Sequence, residues 1–212
     1  MQASQAGAVD NAAGQAERRL RWGRVLSWLF HPFVLGVPAM LAIGIARQGW
    51  RPEHTPGVAL AVVIIVGTPA LGIPLLVRLG LVDDLFVSVR RQRVYLYPLL
   101  LLSFVAGSLV LLRTGVDPLV VAILLSAAAS LTLAGLLTVW IKLSLHCAGV
   151  GGIAASLAAA FGPWAWLALL LLVPTALGRL WARGHSLAET VAGALLGTVA
   201  TRLLIAALGP LL

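Results

Sequence analysis

The sequence is poor in charged residues, poorest in acidic ones, and has a single cysteine. Only 10% of its 212 residues are charged, whereas soluble domains carry about 25%. Too little polar surface exists to cover a water-exposed globule, which excludes a soluble domain and also a disordered or fibrous chain. The single cysteine, Cys147, excludes an intrachain disulfide.

Apolar residues make up 60% of the chain, and the mean hydropathy is +1.01. They fall into seven runs that are bounded by charged residues, Gly or Pro, and each is close to the length that crosses a bilayer. The sequence therefore predicts an all-α polytopic membrane helix bundle of about seven transmembrane helices, or six if the fifth run does not span. The predicted spans are 25–46, 57–80, 94–112, 118–141, 144–160, 163–182 and 187–211. Residues 24–212 form one predicted domain, and residues 1–23 a flexible basic N-terminal tail.

The net charge of +8 is unevenly distributed between the two predicted sides of the membrane. Most Lys and Arg residues fall on the side of the N-terminus, in the tail and in the loops 78–93, 142–146 and 183–186. Because cytoplasmic loops carry an excess of basic residues, we expect the N-terminus and these three loops on the cytoplasmic face. Ionisable side chains at membrane depth are costly and need a reason, and three clusters of them lie on this side.

The first cluster precedes the third span. Arg90 and Arg93 are three residues apart, so they share a face if the segment is α-helical. Two guanidinium groups on one face can hold phosphate oxygens bidentately. The alternative is an ordinary cluster that only sets the membrane orientation.

The second cluster opens the fifth span and contains Lys142, Ser144 and His146. A helix start offers free backbone N–H groups and a positive dipole end, which favour an anion. Ser144 can donate a hydrogen bond and His146 can deliver a proton. The alternative interpretation makes Ser144 a helix N-cap and His146 an interfacial histidine.

The third cluster, Arg179, His185 and Glu189, lies across the turn between the last two spans. His185 and Glu189 are four residues apart and can meet on one helix face. A carboxylate beside an imidazole fixes its tautomer and leaves the other ring nitrogen as a directed nucleophile. The alternative is a capping box formed by Ser186 and Glu189. In the first span, His31 and Pro32 predict a kink in the helix. The alternative interpretation places His31 near the candidate site.

The spacing of these clusters resembles the type 2 phosphatidic acid phosphatase superfamily. Arg179-x5-His185-x3-Glu189 is similar to its third motif, in which Asp takes the place of Glu. Ser144-x-His146 resembles its second motif, Ser-Gly-His. The order of the two motifs along the chain is also that of the superfamily.

The first motif of that superfamily is degenerate in this chain. Arg90-x-x-Arg93 resembles its Arg-containing end, but Asp83 or Phe86 stands where the superfamily has Lys. Further segments, namely His31-Pro32, residues 90–100 and residues 146–152, resemble a compact bacterial membrane branch of the superfamily. The resemblance covers most of residues 25–200.

The resemblance implies a role for each matched residue. His185 would attack phosphorus to form a phosphohistidine, Glu189 would orient it, and His146 would protonate the leaving alkoxide. The phosphoryl oxygens would be held by Arg179, Ser144, Arg90 and Arg93, with Lys142 as a possible replacement for the missing Lys. This scheme requires no metal and no cofactor.

The sequence therefore predicts an integral membrane lipid-phosphate phosphatase of the bacterial cytoplasmic membrane, with its active site on the cytoplasmic face. Its partners would be the bilayer and a phosphate-bearing lipid, such as phosphatidic acid, phosphatidylglycerol phosphate or an isoprenyl phosphate or diphosphate, and not nucleic acid. The alternative is a non-catalytic protein that binds or transports lipid phosphates. The missing first-motif Lys and Leu145, which replaces the Gly of Ser-Gly-His, motivate this alternative.

Overall fold

The chain is an all-α membrane bundle, as the sequence predicts. The computed structural model describes residues 2–49, 53, 55–87 and 89–209, with side chains from residue 14 onward. These residues form nine α-helices and no strand. The helices are α1 (Gln2–Leu29), α2 (Pro32–Gln48), α3 (Thr55–Val62), α4 (Thr68–Arg78), α5 (Arg93–Leu111), α6 (Pro118–Leu137), α7 (Leu145–Phe161), α8 (Leu172–Trp181) and α9 (Leu187–Leu208). A π-helical turn, Val63–Gly67, joins α3 to α4, and 3₁₀ turns, Arg90–Gln92 and Pro163–Leu171, precede α5 and α8.

Six helical segments in the described part of the chain are long and apolar enough to cross a membrane. They are Gly14–Gln48, Thr55–Arg78, Arg90–Leu111, Pro118–Leu137, Pro163–Trp181 and Leu187–Leu208. The seventh apolar helix, α7, has 17 residues, which is at the short end of the range for a span. The described residues thus form a bundle of six to seven spans, which agrees with the sequence prediction.

The N-terminal segment is the one for which the sequence predicts a flexible tail over residues 1–23. It is helical from Gln2 onward, and α1 continues into the first predicted span. Ala, Gln and Arg are frequent in this segment, and all three are favourable in helices. A Cβ added at Gly23 would overlap the backbone at Trp181 and Ala182, so α1 lies directly against the end of α8.

The predicted kink at His31 and Pro32 is confirmed as a break between α1 and α2. Pro32 occupies the first position of α2, where its missing N–H costs no helical hydrogen bond. The Nδ1 atom of His31 accepts a hydrogen bond from the backbone N–H of Phe33 at 3.2 Å. His31 is therefore the N-cap of α2, and its ring is fixed by that bond.

Long-range hydrogen bonds join the loops at each end of the bundle. At one end, Arg47 forms an ion pair of 3.2 Å with Asp117. At the other, Arg93 donates to the carbonyl of Leu143 at 3.1 Å, and Lys142 donates to the carbonyl of Gly184 at 2.9 Å. The three loops that carry the sequence clusters thus meet at one end.

Close packing of α7 on α9 aligns two of these clusters. A Cβ at Gly193 or Gly197 would overlap the backbone carbonyls of Ser144 and Ala148, so no larger residue fits at this crossing. The backbone N–H of Ser144 also donates to the carbonyl of Glu189 at 3.1 Å. The start of α7 is therefore held beside the start of α9.

Candidate functional site

A cavity of about 200 Å³ opens among the helices at the end where the three loops meet. Its polar lining consists mainly of His31, Arg93, His146, Arg179 and His185. Arg93, His146, Arg179 and His185 are each at most 8% exposed. Two cations and three imidazoles thus share one enclosed space, and each of the three sequence clusters contributes at least one residue to its lining.

The ring of His185 is oriented by two acceptors at the same nitrogen. Its Nδ1 atom lies 3.2 Å from the carbonyl oxygen of Lys142 and 3.2 Å from Oε2 of Glu189. Neither oxygen can donate a hydrogen, so Nδ1 must carry the proton. The neutral ring then has its lone pair on Nε2, the atom that a nucleophilic role requires.

The surroundings keep His185 neutral. Burial, and after it the nearby cations Arg179, Arg93 and Lys142, lower the pKa of its imidazole from 6.5 to about 4. The carboxylate of Glu189 acts in the opposite direction but more weakly. At neutral pH the Nε2 lone pair is therefore available. For a histidine with an ordinary pKa, most rings would be protonated below pH 6.5 and would have no free lone pair.

We expect His185 to remain neutral and protonated on Nδ1 from pH 7 down to about pH 5. Between 6.5 and about 4 the folded state binds fewer protons at this residue than the unfolded state. Its contribution to the free energy of unfolding is thus fully present above pH 6.5 and is lost as the pH falls through that range. Nitrogen-15 NMR of labelled histidines, assigned with His185→Asn, measures the tautomer and the midpoint. A midpoint at 6.5 or higher would contradict this description.

Glu189 makes both of the contacts that the sequence allowed. It forms a complete capping box with Ser186, because its Oε2 accepts from the backbone N–H of Ser186 at 3.0 Å and its own N–H donates to Oγ of Ser186 at 3.3 Å. The same Oε2 atom contacts His185. The cap therefore holds the carboxylate where it orients the imidazole.

His146 presents a free ring nitrogen to the cavity. Its Nε2 atom is buried and has no hydrogen-bond partner among the described residues. The ring packs edge-on against His31 with a centroid distance of 4.4 Å, and Phe86 lies 6.1 Å away. Its position at the first turn of α7 follows from the N-cap Ser144.

Arg179 is a buried cation whose side chain is only partly satisfied. Its Nη1 atom donates to Oγ of Ser27 at 3.5 Å, and its guanidinium lies 5.8 Å from the ring centre of Phe86. Its Nε atom is buried without a partner among the described residues. Gly184 gives the guanidinium its room, because a Cβ there would lie 2.7 Å from Nη2.

Arg93 also lines the cavity, but its guanidinium is more fully bonded. It donates from Nη1 to the carbonyl of Leu143 and from Nε to that of Val87 at 3.4 Å. Among the described residues that line the cavity there is no carboxylate, although Asp84 acts electrostatically on Arg179. The two cations leave the cavity positively charged, which favours an anionic ligand.

Three predicted phosphate ligands are absent from the described lining of the cavity. Arg90 lies in the 3₁₀ turn that precedes α5 and, unlike Arg93, is not among the residues that line the described cavity. The Arg90 guanidinium instead donates to the carbonyl of Val139, just past the C-terminus of α6. Lys142 bonds to Gly184, and Ser144 is the N-cap of α7, accepting from the backbone N–H of Cys147. Lys142 and Ser144 therefore position other site residues: the carbonyl of Lys142 contacts Nδ1 of His185, and Ser144 caps the helix that carries His146.

Backbone strain occurs next to the site. Val87 and Arg183 are the non-glycine residues with positive φ in the described part of the chain, at 45° and 53°. Val87 adjoins Phe86, and Arg183 lies two residues before His185. Left-handed conformations are unfavourable for a β-branched residue and are often found where function requires them.

Sequence reasoning missed several residues of the site. Phe86 contacts Arg179 and His146, and Ser27 bonds to Arg179, yet neither has a distinguishing pattern in the sequence. Ser130 lines the cavity with a buried hydroxyl that has no partner among the described residues. His31 did have a signal, and its alternative interpretation as a neighbour of the site is confirmed by its contact with His146.

Unpartnered polar atoms concentrate in this cavity. In the described part of the chain four buried side-chain atoms lack a hydrogen-bond partner, and three of them, on Ser130, His146 and Arg179, belong to residues that line it. Each costs about 1–3 kcal/mol when it stays unpaired, so their grouping indicates a place for a polar ligand.

Comparison with family models, curated proteins and solved structures finds no match to this chain.

Proposed function

We propose that the protein is a membrane lipid-phosphate phosphatase that acts through a phosphohistidine on His185. One observation supports this above the others: a buried, positively charged cavity contains a histidine whose Nδ1 is held by two acceptors. This arrangement supplies a nucleophile and a phosphate-binding environment in the same enclosed space. The motif resemblance supplies the reaction type.

The proposed reaction has two steps. In the first, Nε2 of His185 attacks phosphorus, the bond from phosphorus to the ester oxygen breaks, and His146 gives a proton to the leaving alkoxide. In the second, water attacks the phosphohistidine while His146 takes a proton from it, which releases phosphate and restores His185. Arg179 and Arg93 would stabilise the charge on the phosphoryl oxygens, because both guanidinium groups line the cavity.

The membrane setting favours an amphiphilic substrate. Six helical segments in the described residues can cross a bilayer, and the cavity lies at the end of the bundle where the loops after α4, α6 and α8 meet. A lipid whose phosphate lies at the interface could reach this depth. The distribution of basic residues in the sequence favours the cytoplasmic face of a bacterial inner membrane.

A second candidate function is binding or transport of lipid phosphates without turnover. It is favoured by the structural engagement of Arg90, Lys142 and Ser144, which leaves fewer phosphate ligands in the cavity than the motifs imply. Phosphate release by purified protein in nanodiscs distinguishes the two functions. The panel contains phosphatidic acid, phosphatidylglycerol phosphate and isoprenyl mono- and diphosphates; release from at least one supports the enzyme, whereas binding without release supports the second function.

Glu189→Gln is expected to lower the turnover number about 100-fold. In a triad where the carboxylate alone fixes the tautomer, the same kind of change costs about 10⁴-fold, but here the carbonyl of Lys142 also holds Nδ1. The substitution removes the negative charge that stabilises the imidazole as bonds to phosphorus form. Steady-state phosphate release measures the effect.

The same variant separates catalysis from helix capping. Gln can replace Glu in a capping box, so the bonds to Ser186 should persist and the thermal unfolding midpoint should stay unchanged. Glu189→Ala, which removes the cap as well, serves as the control and should lower that midpoint. If Glu189→Gln keeps full turnover, the carboxylate acts only as a cap.

A further inference from the structure

The cavity does not end at the polar residues but continues between the helices toward the middle of the bundle. On α7 its lining runs from His146 to Ser156, and on α5 from Arg93 to Phe104. Ten or eleven residues of helix correspond to a depth of about 15 Å at 1.5 Å per residue. Two separate helices thus give the same length for one elongated cavity.

The lining residues of α2 and α6 follow the cavity in the same direction, from the polar end toward the middle of the bundle. The lining of α2 runs from Pro32 at the polar end to Ile43, and that of α6 runs in reverse, from Leu131 to Ile123. The π-helical turn adds Ile65, which packs near Gly36 on α2. Apart from hydroxyl groups such as that of Ser130, the walls below the polar end are apolar.

The far end is closed by the bundle itself. Ile43, Phe104, Ser156 and Thr201 line it, and each is at most 5% exposed. The hydroxyl of Ser156 already donates to the carbonyl of Gly152, so the space that remains is mainly apolar. Such a space holds water poorly and favours a hydrocarbon. A closed apolar cavity that is continuous with two buried cations matches one molecule with a phosphate at one end and a hydrocarbon chain at the other.

The size sets how much chain can enter. A cavity of about 150 Å³ holds one benzene ring, so about 200 Å³ holds one chain segment and has no room for a second beside it. A depth of about 15 Å corresponds to roughly a dozen carbons when C–C bonds of about 1.5 Å are laid in a zigzag. Volume and depth together indicate on the order of ten carbons.

We propose that this cavity binds the first ten or so carbons of a single hydrocarbon chain joined directly to phosphate, so that the substrate class is single-chain alkyl or prenyl phosphates. Glycerol-based lipids would bring two chains to a cavity whose volume of about 200 Å³ accommodates one. The inference rests on the proposed function, because it places the phosphate beside Arg93 and Arg179. It concerns binding and can be tested without turnover.

The test measures binding of n-alkylphosphonates with four to fourteen carbons to the protein in nanodiscs. Phosphonates have no ester bond to hydrolyse, so a failure of catalysis does not affect the result. The dissociation constant, referred to the aqueous ligand, should fall about fourfold for each added carbon, as about 0.8 kcal/mol per methylene implies, and become constant near ten carbons. Dioctanoyl phosphatidic acid should bind at least about tenfold more weakly than decylphosphonate.

A matched pair of variants on α6 locates the chain. Ala127 lines the cavity part-way down, whereas Ala129 is half-buried and is not among the residues that line the described cavity. In Ala127→Phe the dissociation constant should level off at a shorter chain length than in the wild type. The dissociation constant of butylphosphonate should stay unchanged, and this unchanged binding also shows that the variant is folded. Ala129→Phe should behave like the wild type.

Two results would overturn the inference. One is a dissociation constant that falls equally with every added carbon in all variants, as partition into the bilayer would give. The other is equal binding of decylphosphonate and dioctanoyl phosphatidic acid. Phosphate release from the lipid panel is measured separately. If no lipid of the panel is hydrolysed but binding still levels off near ten carbons, the proposed function fails and the inference about the hydrocarbon cavity holds.

Discussion

His185→Asn is expected to lower phosphate release by at least about a thousandfold, because it removes the attacking nitrogen. The amide of Asn can still donate a hydrogen bond toward the carbonyl of Lys142, the partner that Nδ1 of His185 contacts at 3.2 Å. The fold should therefore survive while the nucleophile is lost. Steady-state release from the best substrate of the lipid panel measures the effect.

Two further measurements make this result specific. The affinity for decylphosphonate should change by less than about tenfold, since Arg93 and Arg179 still line the cavity. The thermal unfolding midpoint at pH 7 should remain close to that of the wild type. Substantial turnover in a folded His185→Asn protein would exclude this histidine as the nucleophile.

Arg179→Met is expected to lower turnover by about 10²–10³-fold, the usual cost of removing a group that stabilises charge in the transition state. Loss of an arginine that stabilises the fold lowers the unfolding midpoint, but Arg179→Met should not. Arg179 is 6% exposed, has an unpartnered Nε and makes one long hydrogen bond to Ser27. Replacing a buried, poorly paired cation by an apolar side chain should leave the unfolding midpoint unchanged or raise it.

Two other arginines provide controls for the same substitution. Arg93→Met should lower the unfolding midpoint, because it removes bonds to the carbonyls of Val87 and Leu143. Arg90→Met should leave turnover within about threefold of the wild type, because Arg90 bonds to Val139 and is not among the residues that line the cavity. A fall in stability for Arg179→Met as large as that for Arg93→Met would show that Arg179 holds the fold together.

Much of the architecture could be predicted from the sequence because a bilayer leaves few alternatives. Apolar length and the Gly, Pro and charged residues that interrupt it predicted the bounds of the second to seventh spans to within about four residues, whereas the helix that enters the first span begins earlier, at Gln2. The spacing of Arg179, His185 and Glu189 also predicted a local contact, since residues four apart on a helix meet. The contact of His185 with Glu189 is of this kind.

Tertiary contacts between distant loops could not be predicted in the same way. The three-residue spacing of Arg90 and Arg93 does not indicate which of them enters the cavity. That depends on their distant backbone partners, the carbonyl of Val139 for Arg90 and that of Leu143 for Arg93. The second acceptor for His185, the carbonyl of Lys142, is 43 residues away and is brought there by packing of α7 on α9. The elongated cavity is formed by side chains of several helices, so no single stretch of sequence encodes it.

The most direct test of the account is detection of phosphate bound to His185. In His146→Asn, para-nitrophenyl phosphate should transfer its phosphoryl group without help from an acid, because nitrophenolate is a good leaving group, whereas hydrolysis of the phosphohistidine would lack its base. Rapid alkaline quenching and peptide mass spectrometry should then find phosphate on His185, and none after the additional change His185→Asn. Turnover by the wild type with no phosphate on His185 in either protein would contradict the proposed mechanism.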